Sequence, residues 1–186
     1  MKTNPEKNID ELIDTLKPLK KLSPQIAQAA KMCSDCINRG NSIFSCGNGG
    51  SAAAAMHFAE ELSGRYKNDR RALPGLCLNS DPCAITCTAN DFGFEKIFAR
   101  QLEAFAKRGD TLALFSSSGN SPNLLEAISA AKKLGVSTAM FCGNGGGKCA
   151  GLADVEIIVP SNNGARVQEA HELLLHTVIE EIEANL

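Results

Sequence analysis

Short apolar runs alternate with amphipathic stretches along this chain, and that alternation constrains the fold more than any other feature. The apolar runs have the length of β-strands and occupy positions 42–46, 73–78, 111–115, 136–142 and 155–159. Apolar residues have the spacing of amphipathic helices at positions 8–16, 24–38, 51–63, 95–106, 122–134 and 166–184. Positions 84–88 belong to one further short element. Because several strands are apolar at consecutive positions, both of their faces are expected to be buried. The pattern predicts a three-layer α/β/α sandwich around a mostly parallel, five-stranded sheet.

The charge balance and the start of the chain narrow the classes of partner. The 186 residues carry a formal net charge of −2, which supplies no broad positive field for nucleic acid or an anionic membrane. Residues 1–8 are polar and lack the apolar core of a signal peptide, and no run reaches transmembrane length. We therefore expect a cytoplasmic protein without a nucleic-acid or membrane partner. Its length is that of one domain.

Eight cysteines are present, yet their settings favour free thiols over a disulfide framework. Four lie in apolar strand-like runs, where a thiol behaves as a small hydrophobe. These four are Cys46, Cys77, Cys87 and Cys142. Cys33 and Cys36 form a C-x-x-C motif, but the motif lies inside a predicted helix and lacks the strand–turn–helix context of a redox site. A redox or metal role for this pair is the weaker interpretation.

A glycine-rich loop follows the first strand and opens the helix at 51–63. Its residues are Gly47, Asn48, Gly49, Gly50 and Ser51. Glycines let the backbone approach a ligand closely, and the positive end of the helix dipole favours an anion. The loop also fits the dinucleotide-binding fingerprint G-x-G-x-x-A. That fingerprint requires a second strand that ends in Asp or Glu about 20 residues later. The chain instead has a polar stretch there, 65–71, which we interpret as a solvated loop. The sequence Cys-Gly-Asn-Gly-Gly of residues 46–50 occurs again at 142–146. The simplest explanation is that both copies form a turn after a strand, since Asn and Gly tolerate left-handed backbone angles.

A second loop, after the strand at 111–115, has a more specific composition. It consists of Ser116, Ser117, Ser118, Gly119, Asn120 and Ser121, followed by Pro122 at the first turn of a helix. Ser121 is the expected N-cap, which accounts for one serine and leaves three unexplained. Hydroxyls and free backbone N–H groups at one helix N-terminus can bind the oxygens of a phosphate without Lys or Arg. The sequence therefore predicts a phosphate cradle at the carboxyl end of this strand, where open α/β sheets bind ligands.

Taken together, these motifs resemble the sugar isomerase (SIS) domain family. The serine loop at 116–121 resembles the phosphate loop of that family, and the segments 47–51, 56–65, 90–93 and 168–176 are similar to its phosphoheptose isomerase branch. The resemblance extends in order over nearly the whole chain. It implies one SIS domain of flavodoxin-like topology over residues 1–186. It also implies a homotetramer with active sites at subunit interfaces, to which residues 1–40 would contribute apolar helix faces.

Two pairs of helical residues supply the ligand types of a metal site. His57 and Glu61 are four residues apart and share one helix face. Gln168 and His176 lie about two turns apart on the last helix. If the two helices face each other, the four side chains form a plausible shell for zinc. Each residue alone also has a structural explanation, such as an ion pair between Glu61 and Arg65. The resemblance assigns one zinc ion per subunit to the four matching positions.

The resemblance further implies an aldose–ketose isomerase that acts through an enediol. One group must move a proton between C1 and C2 of the sugar while another moves protons between the oxygens. The family pattern assigns these roles to Glu61 and His176. It implies conversion of sedoheptulose 7-phosphate to D-glycero-D-manno-heptose 7-phosphate, which leads to nucleotide-activated heptose for lipopolysaccharide or capsule. The residues expected to bind this substrate are Asn48, Gly49, Gly50, Ser51, Glu61, Asn90, Asp91, Ser116, Ser117, Ser118, Ser121 and Gln168.

Several alternatives remain open at this point. For Asn90 and Asp91, an ordinary Asx turn explains the sequence as well as substrate binding does. Proteins similar to this family include non-catalytic adaptors that bind a DNA-replication initiator protein, but the complete acid–base set argues against that role. A sugar-phosphate-sensing regulator would be expected to carry a DNA-binding segment, and the sequence shows none. An isomerase of another sugar phosphate is the third alternative.

Overall fold

A parallel sheet organises the fold. The computed structural model describes residues 4–186, and its strands are β1 (Ile43–Gly47), β2 (Gly75–Cys77), β3 (Thr111–Ser116), β4 (Ser137–Cys142) and β5 (Val155–Ile158). They pair in the order β2-β1-β3-β4-β5, and every pair is parallel. This is the flavodoxin-like order, so the predicted topology is confirmed. Parallel pairing also brings the carboxyl ends of β1, β3 and β4 to the same side of the molecule.

The helices of the described residues cover both faces of the sheet. They are α1 (Pro5–Leu16), α2 (Ser23–Asn38), α3 (Gly50–Ser63), α4 (Pro82–Phe92), α5 (Ala99–Phe105), α6 (Pro122–Leu134) and α7 (Gly164–Ala184). Short 3₁₀ segments occupy Lys17–Leu22, Phe94–Lys96 and Asn144–Cys149. Within residues 4–186, no helix combines the length and the apolar character needed to cross a bilayer.

Successive strand side chains enter two separate apolar clusters, one on each face of the sheet. Ala113 and Phe141 pack with α2, α3 and α7, whereas Leu112 and Met140 pack with α5 and α6. All four are at most 2% exposed, as expected for strands covered on both faces. The predicted three-layer α/β/α sandwich is therefore confirmed.

Several predicted element boundaries differ from the structure. Positions 84–88 lie within α4, which begins where the Asp81 carboxylate accepts hydrogen bonds from the amides of Cys83 and Ala84. Cys87 is consequently exposed on a helix and does not lie in a buried strand-like run. Strand β2 is shorter than predicted because Leu73 donates its N–H to the last turn of α3 and not to the sheet. The helix predicted at 95–106 is divided into a 3₁₀ turn and α5.

The C-x-x-C motif is buried inside α2, which argues against a redox or metal role for its two thiols. Cys33 and Cys36 are at most 1% exposed, and burial raises the pKa of the Cys33 thiol to about 12. A thiol that resists ionisation is a poor nucleophile and a poor metal ligand. All eight cysteines are free thiols. The motif therefore serves packing.

Candidate active site

Three ionisable side chains meet where α3 packs against α7. His57 Nε2 lies 3.2 Å from Glu61 Oε1, and His176 Nε2 lies 3.4 Å from His57 Nε2 and 3.7 Å from Glu61 Oε1. The Glu61 side chain is 12% exposed, whereas the two imidazoles are about one third exposed. Glu61 thus faces the two histidines, and no ion pair joins it to Arg65 in the part of the chain that the structure describes. We call His57, Glu61 and His176 the triad.

The spacing of the triad suits a divalent cation. Its three facing atoms are 3.2 to 3.7 Å apart. Ligand atoms of a tetrahedral zinc site, each about 2.0 to 2.1 Å from the metal, are about 3.3 Å from one another. The ligand atoms of these three residues all lie within 4.8 Å of each other. The triad is therefore a candidate metal-binding group with one carboxylate and two imidazoles.

Gln168 contacts the start of α3. A Cβ atom added to Gly50 would lie only 2.5 Å from Gln168 Oε1, so the amide rests directly on the first turn of α3. Gly50 precedes His57 by roughly 10 Å along the helix axis. Only a glycine at position 50 leaves room for this contact. Gln168 as the fourth metal ligand therefore stays a prediction, while its contact with the first glycine loop is a feature of the structure.

The outer nitrogen of His57 has a partner that the sequence did not indicate. His57 Nδ1 lies 2.7 Å from Glu172 Oε2, on the face of α7 that carries His176 one turn later. Partial burial lowers the pKa of His57, but hydrogen bonds and charges from Glu172 and Glu61 outweigh it and leave the pKa raised. The ring is thus held between two carboxylates.

The segment 65–71 packs against the triad, and its interpretation as a solvated loop is wrong in part. The Tyr66 ring stacks on His176, with 5.4 Å between ring centroids and 21° between ring planes. Arg70 donates to the backbone carbonyls of Glu61 and Leu62 at the end of α3. Arg65 and Asp69 remain exposed, as predicted. A tyrosine within a charged run was the only signal in the sequence that this loop packs on something.

The serine loop after β3 is held in shape by its own hydrogen bonds. Ser116 Oγ accepts a hydrogen bond from the Gly119 amide, and Ser118 Oγ accepts one from the Asn120 amide, which curls the loop around the start of α6. Ser121 occupies the N-cap position, but its side chain makes no cap hydrogen bond. Its predicted role as a side-chain cap is therefore wrong. Ser117 lies beside Gly164, so the N-terminus of α7 is next to the serine loop and the start of α6.

An asparagine pair joins the two predicted loops. Asn48 and Asn123 exchange amide hydrogen bonds of 2.9 and 2.8 Å, which links the end of β1 to the first turn of α6. Asn123 is 1% exposed and was missed by sequence reasoning, although it follows the serine loop directly. Ser51 is also buried, at the first turn of α3. The glycine loop and the serine loop therefore form one continuous surface.

The second copy of Cys-Gly-Asn-Gly-Gly, at 142–146, packs against the serine loop. Asn144 and the next three glycines all have positive φ, which only glycine adopts freely. The carbonyl of Gly146 approaches Gly119 so closely that a side chain there would clash, and the Cys149 amide donates to the Gly119 carbonyl. The second copy of the motif therefore forms a turn and also packs against Gly119 of the serine loop.

Asn90 and Asp91 are not brought to the triad. Both are exposed in the last turn of α4, and the Asn90 amide donates to the Asp91 carboxylate. No hydrogen bond links either of them to α3, α7 or the serine loop within residues 4–186. Their position on a helix also removes the Asx turn that was the alternative. Contact of these two residues with substrate stays a prediction.

Comparison with known proteins places this arrangement in a family. Residues 7–147 match the SIS domain family model. The phosphoheptose isomerase of Aliarcobacter butzleri is 44% identical over 97% of this chain and 93% of its own length, and that of Vibrio cholerae is 49% identical over 87% and 85%. The solved phosphoheptose isomerase of Neisseria gonorrhoeae superimposes with a TM-score of 0.91, at 36% identity over 96% of both chains. The chain belongs to the SIS domain family, in its phosphoheptose isomerase branch.

Proposed function

We propose that this protein interconverts sedoheptulose 7-phosphate and D-glycero-D-manno-heptose 7-phosphate. The observation that carries the proposal is the approach of His176 Nε2 to within 3.7 Å of Glu61 Oε1, in a chain that is 44 to 49% identical to phosphoheptose isomerases. A carboxylate and an imidazole at this separation are the two groups that an enediol mechanism needs. The product would enter the synthesis of nucleotide-activated heptose for lipopolysaccharide or capsule.

The proton transfers follow from the two groups. Glu61 removes a proton from C1 of the ketose, and His176 gives a proton from Nδ1 to the C2 oxygen, which yields the enediol. Nε2 of the same ring faces His57 and Glu61. His176 then takes the proton of the C1 hydroxyl, and Glu61 returns its proton to C2, which yields the aldose. Only Oε1 of Glu61 contacts the imidazoles, and Oε2 makes no hydrogen bond to residues 4–186. Oε2 is therefore the oxygen proposed to meet the C1 proton.

Zinc, one ion per subunit, is the cation proposed for the triad. His57, Glu61 and His176 would hold it, with Gln168 as the proposed fourth ligand. Bound there, it would supply Lewis-acid polarisation of a substrate oxygen. Metal analysis of the purified protein, with His57→Ala as the control variant, tests this part of the proposal.

The phosphate group is assigned to the cradle that the serine loop forms with the N-termini of α6 and α7. Free hydroxyls and the helix dipoles favour a dianion there. Within one chain, Glu61 lies roughly 16 Å along α3 from Gly50 and the cradle beside it. This separation supports the proposal that sites are completed across subunit interfaces, so that the triad of one subunit approaches the cradle of another.

A homotetramer is the assembly proposed for such sites. Exposed apolar side chains on α1 and α7 support it, since Ile13 is 45% exposed and Leu173 is 48% exposed beside the same groove. The N-terminal helices, within residues 1–40, would form much of the interface, and residues 1–186 would act as a single SIS domain in the cytoplasm. Light scattering of the purified protein measures the subunit number directly.

An isomerase assay with sedoheptulose 7-phosphate tests the proposed reaction. Wild type should turn over, whereas Glu61→Gln and His176→Ala should lose roughly 100-fold or more in kcat, the usual contribution of an acid–base group. Binding of the sugar phosphate should persist in His176→Ala. A wild-type protein that binds sugar phosphate without turnover would contradict the isomerase proposal and favour the adaptor alternative. Turnover only with a different sugar phosphate would favour the third alternative.

A further inference from the structure

Glu172 makes a contact that none of the proposed catalytic or binding roles uses. Its Oε2 atom lies 2.7 Å from Nδ1 of His57, on the opposite side of the ring from the triad. Nε2 of the same ring points to Glu61, at 3.2 Å. The two ring nitrogens of His57 therefore face different carboxylates: Nδ1 faces Glu172, and Nε2 faces Glu61 of the triad.

An imidazole can ligate a metal only through an unprotonated nitrogen, so the other nitrogen of a neutral ring must carry the proton. Both ring nitrogens face a carboxylate, but Glu172 is the closer of the two, at 2.7 Å against 3.2 Å for Glu61, so the form that donates from Nδ1 is favoured. Nε2 then keeps its lone pair. Such carboxylate–histidine pairs commonly orient metal-binding rings and raise their basicity.

We propose that Glu172 is a positioning residue that holds His57 in the Nδ1–H form, with Nε2 directed at the cation of the triad. This inference rests on the metal site of the proposed function. Glu172 would not touch the metal or the substrate, since its carboxylate faces Nδ1 and lies outside the group formed by the three ligand atoms.

Fold stability gives a weaker explanation of the contact. The Glu172 side chain is 43% exposed and that of His57 is 34% exposed. Ion pairs with this much exposure typically contribute little to the free energy of unfolding. A role in fold stability also leaves unexplained why Glu172 contacts Nδ1 of His57, the ring whose Nε2 faces Glu61.

Zinc affinity of the full-length protein tests the inference. Metal-free protein is titrated with zinc in competition with a chelating dye, for wild type, Glu172→Ala, Glu172→Gln and Glu181→Gln. Glu172→Ala should weaken zinc binding about 10- to 100-fold. Glu172→Gln keeps an acceptor oxygen and should lie between Glu172→Ala and wild type. Glu181, an exposed residue of α7 with no ion pair among residues 4–186, is the matched control and should bind zinc as wild type does.

A second measurement needs no metal. Nitrogen-15 NMR of the metal-free protein, at a pH where the ring is neutral, should show His57 protonated at Nδ1 in wild type. In Glu172→Ala the tautomer should shift toward Nε2–H, because Glu61 is then the only carboxylate among residues 4–186 that faces the ring. Unchanged zinc affinity in Glu172→Ala, or an unchanged tautomer, would overturn the inference. So would a wild-type protein that binds no zinc.

These outcomes are separable from the proposed reaction. Isomerase turnover with an unchanged zinc affinity in Glu172→Ala removes the inference and leaves the function in place. Weakened zinc binding in a protein without turnover keeps the inference and removes the isomerase.

Discussion

The guanidinium group of Arg70 donates a hydrogen bond to the backbone carbonyl of Glu61, the proposed catalytic base. Its Nε atom also lies 2.9 Å from Glu183 Oε1, near the end of α7. The side chains of Arg70 and Glu183 are 9% and 3% exposed, so the ion pair is shielded from water. Arg70 therefore joins the C-terminal ends of the two helices that carry the triad.

Replacing Arg70 should destabilise the fold. Arg70→Ala removes the charged partner of the Glu183 carboxylate, which keeps its hydrogen bonds from Asn68, and we expect the free energy of unfolding to fall by about 3 kcal/mol. Urea denaturation measures this change. Arg71→Ala, at the exposed neighbouring arginine, is the matched control and should change the free energy by less than about 0.5 kcal/mol. Similar small effects of both substitutions would contradict the joining role.

Tyr66 should affect the rate of isomerisation through the orientation of His176. Its ring stacks on the imidazole, and its hydroxyl donates to Glu180 Oε1 at 3.0 Å. Tyr66→Leu should lower kcat about 3- to 10-fold, the value of a stacked aromatic pair, with little change in KM. Tyr66→Phe keeps the ring and should remain near wild type. If Tyr66→Phe lost as much as Tyr66→Leu, the hydroxyl and not the stacking would be the important contact.

The sheet could be predicted from sequence because its strands are apolar at consecutive positions, a signal that is local. Helix α4 was missed because its apolar stretch, 84–88, has only five residues. Its start was nevertheless marked by Asp81 and Pro82, an N-cap followed by proline, which is a recognisable signal. The late start of β2 could not be foreseen, because it depends on tertiary packing: Leu73 donates its backbone N–H to Leu62 of α3 and not to the sheet.

The candidate site was predictable in its helical spacing and not in its outer contacts. His57 and Glu61 share a face at i and i+4, which periodicity alone requires. Glu172 is one of several glutamates on α7, and which of them faces α3 depends on how the two helices pack. Arg70 was unrecognisable for the same reason, since a charged run normally indicates a solvated loop and only tertiary packing buries one of its members.

The asparagine pair should control the affinity for phosphate. Asn123→Ala leaves the Asn48 amide without its two hydrogen bonds, a loss of about 1 to 3 kcal/mol, and loosens the connection between the glycine and serine loops. We expect KM for the sugar phosphate to rise about 10-fold, with a smaller change in kcat. Steady-state kinetics measure both. Asn185→Ala, near the C-terminus, is the control; an equal effect there would show that Asn123 has no special role.

His171 should make the fold sensitive to acid. The ring is fully buried against Phe115, and neither ring nitrogen has a well-aligned hydrogen-bond partner among the described residues. Burial lowers the pKa of His171 to about 4, and the nearby backbone of Cys142 offsets this only in part. The unfolded chain, with an ordinary histidine pKa of about 6.5, therefore binds more protons between these two pH values.

Stability that depends on neutral His171 is complete above about pH 6.5 and is lost as the pH falls toward 4. The loss from this one residue should approach about 3 kcal/mol at pH 4. Urea unfolding at several pH values measures it. His171→Leu should flatten the curve between pH 6.5 and 4 while leaving stability near pH 7 equal or higher, because two unpaired nitrogens are removed from the core. An unaltered slope in that variant would show that other groups cause the acid sensitivity.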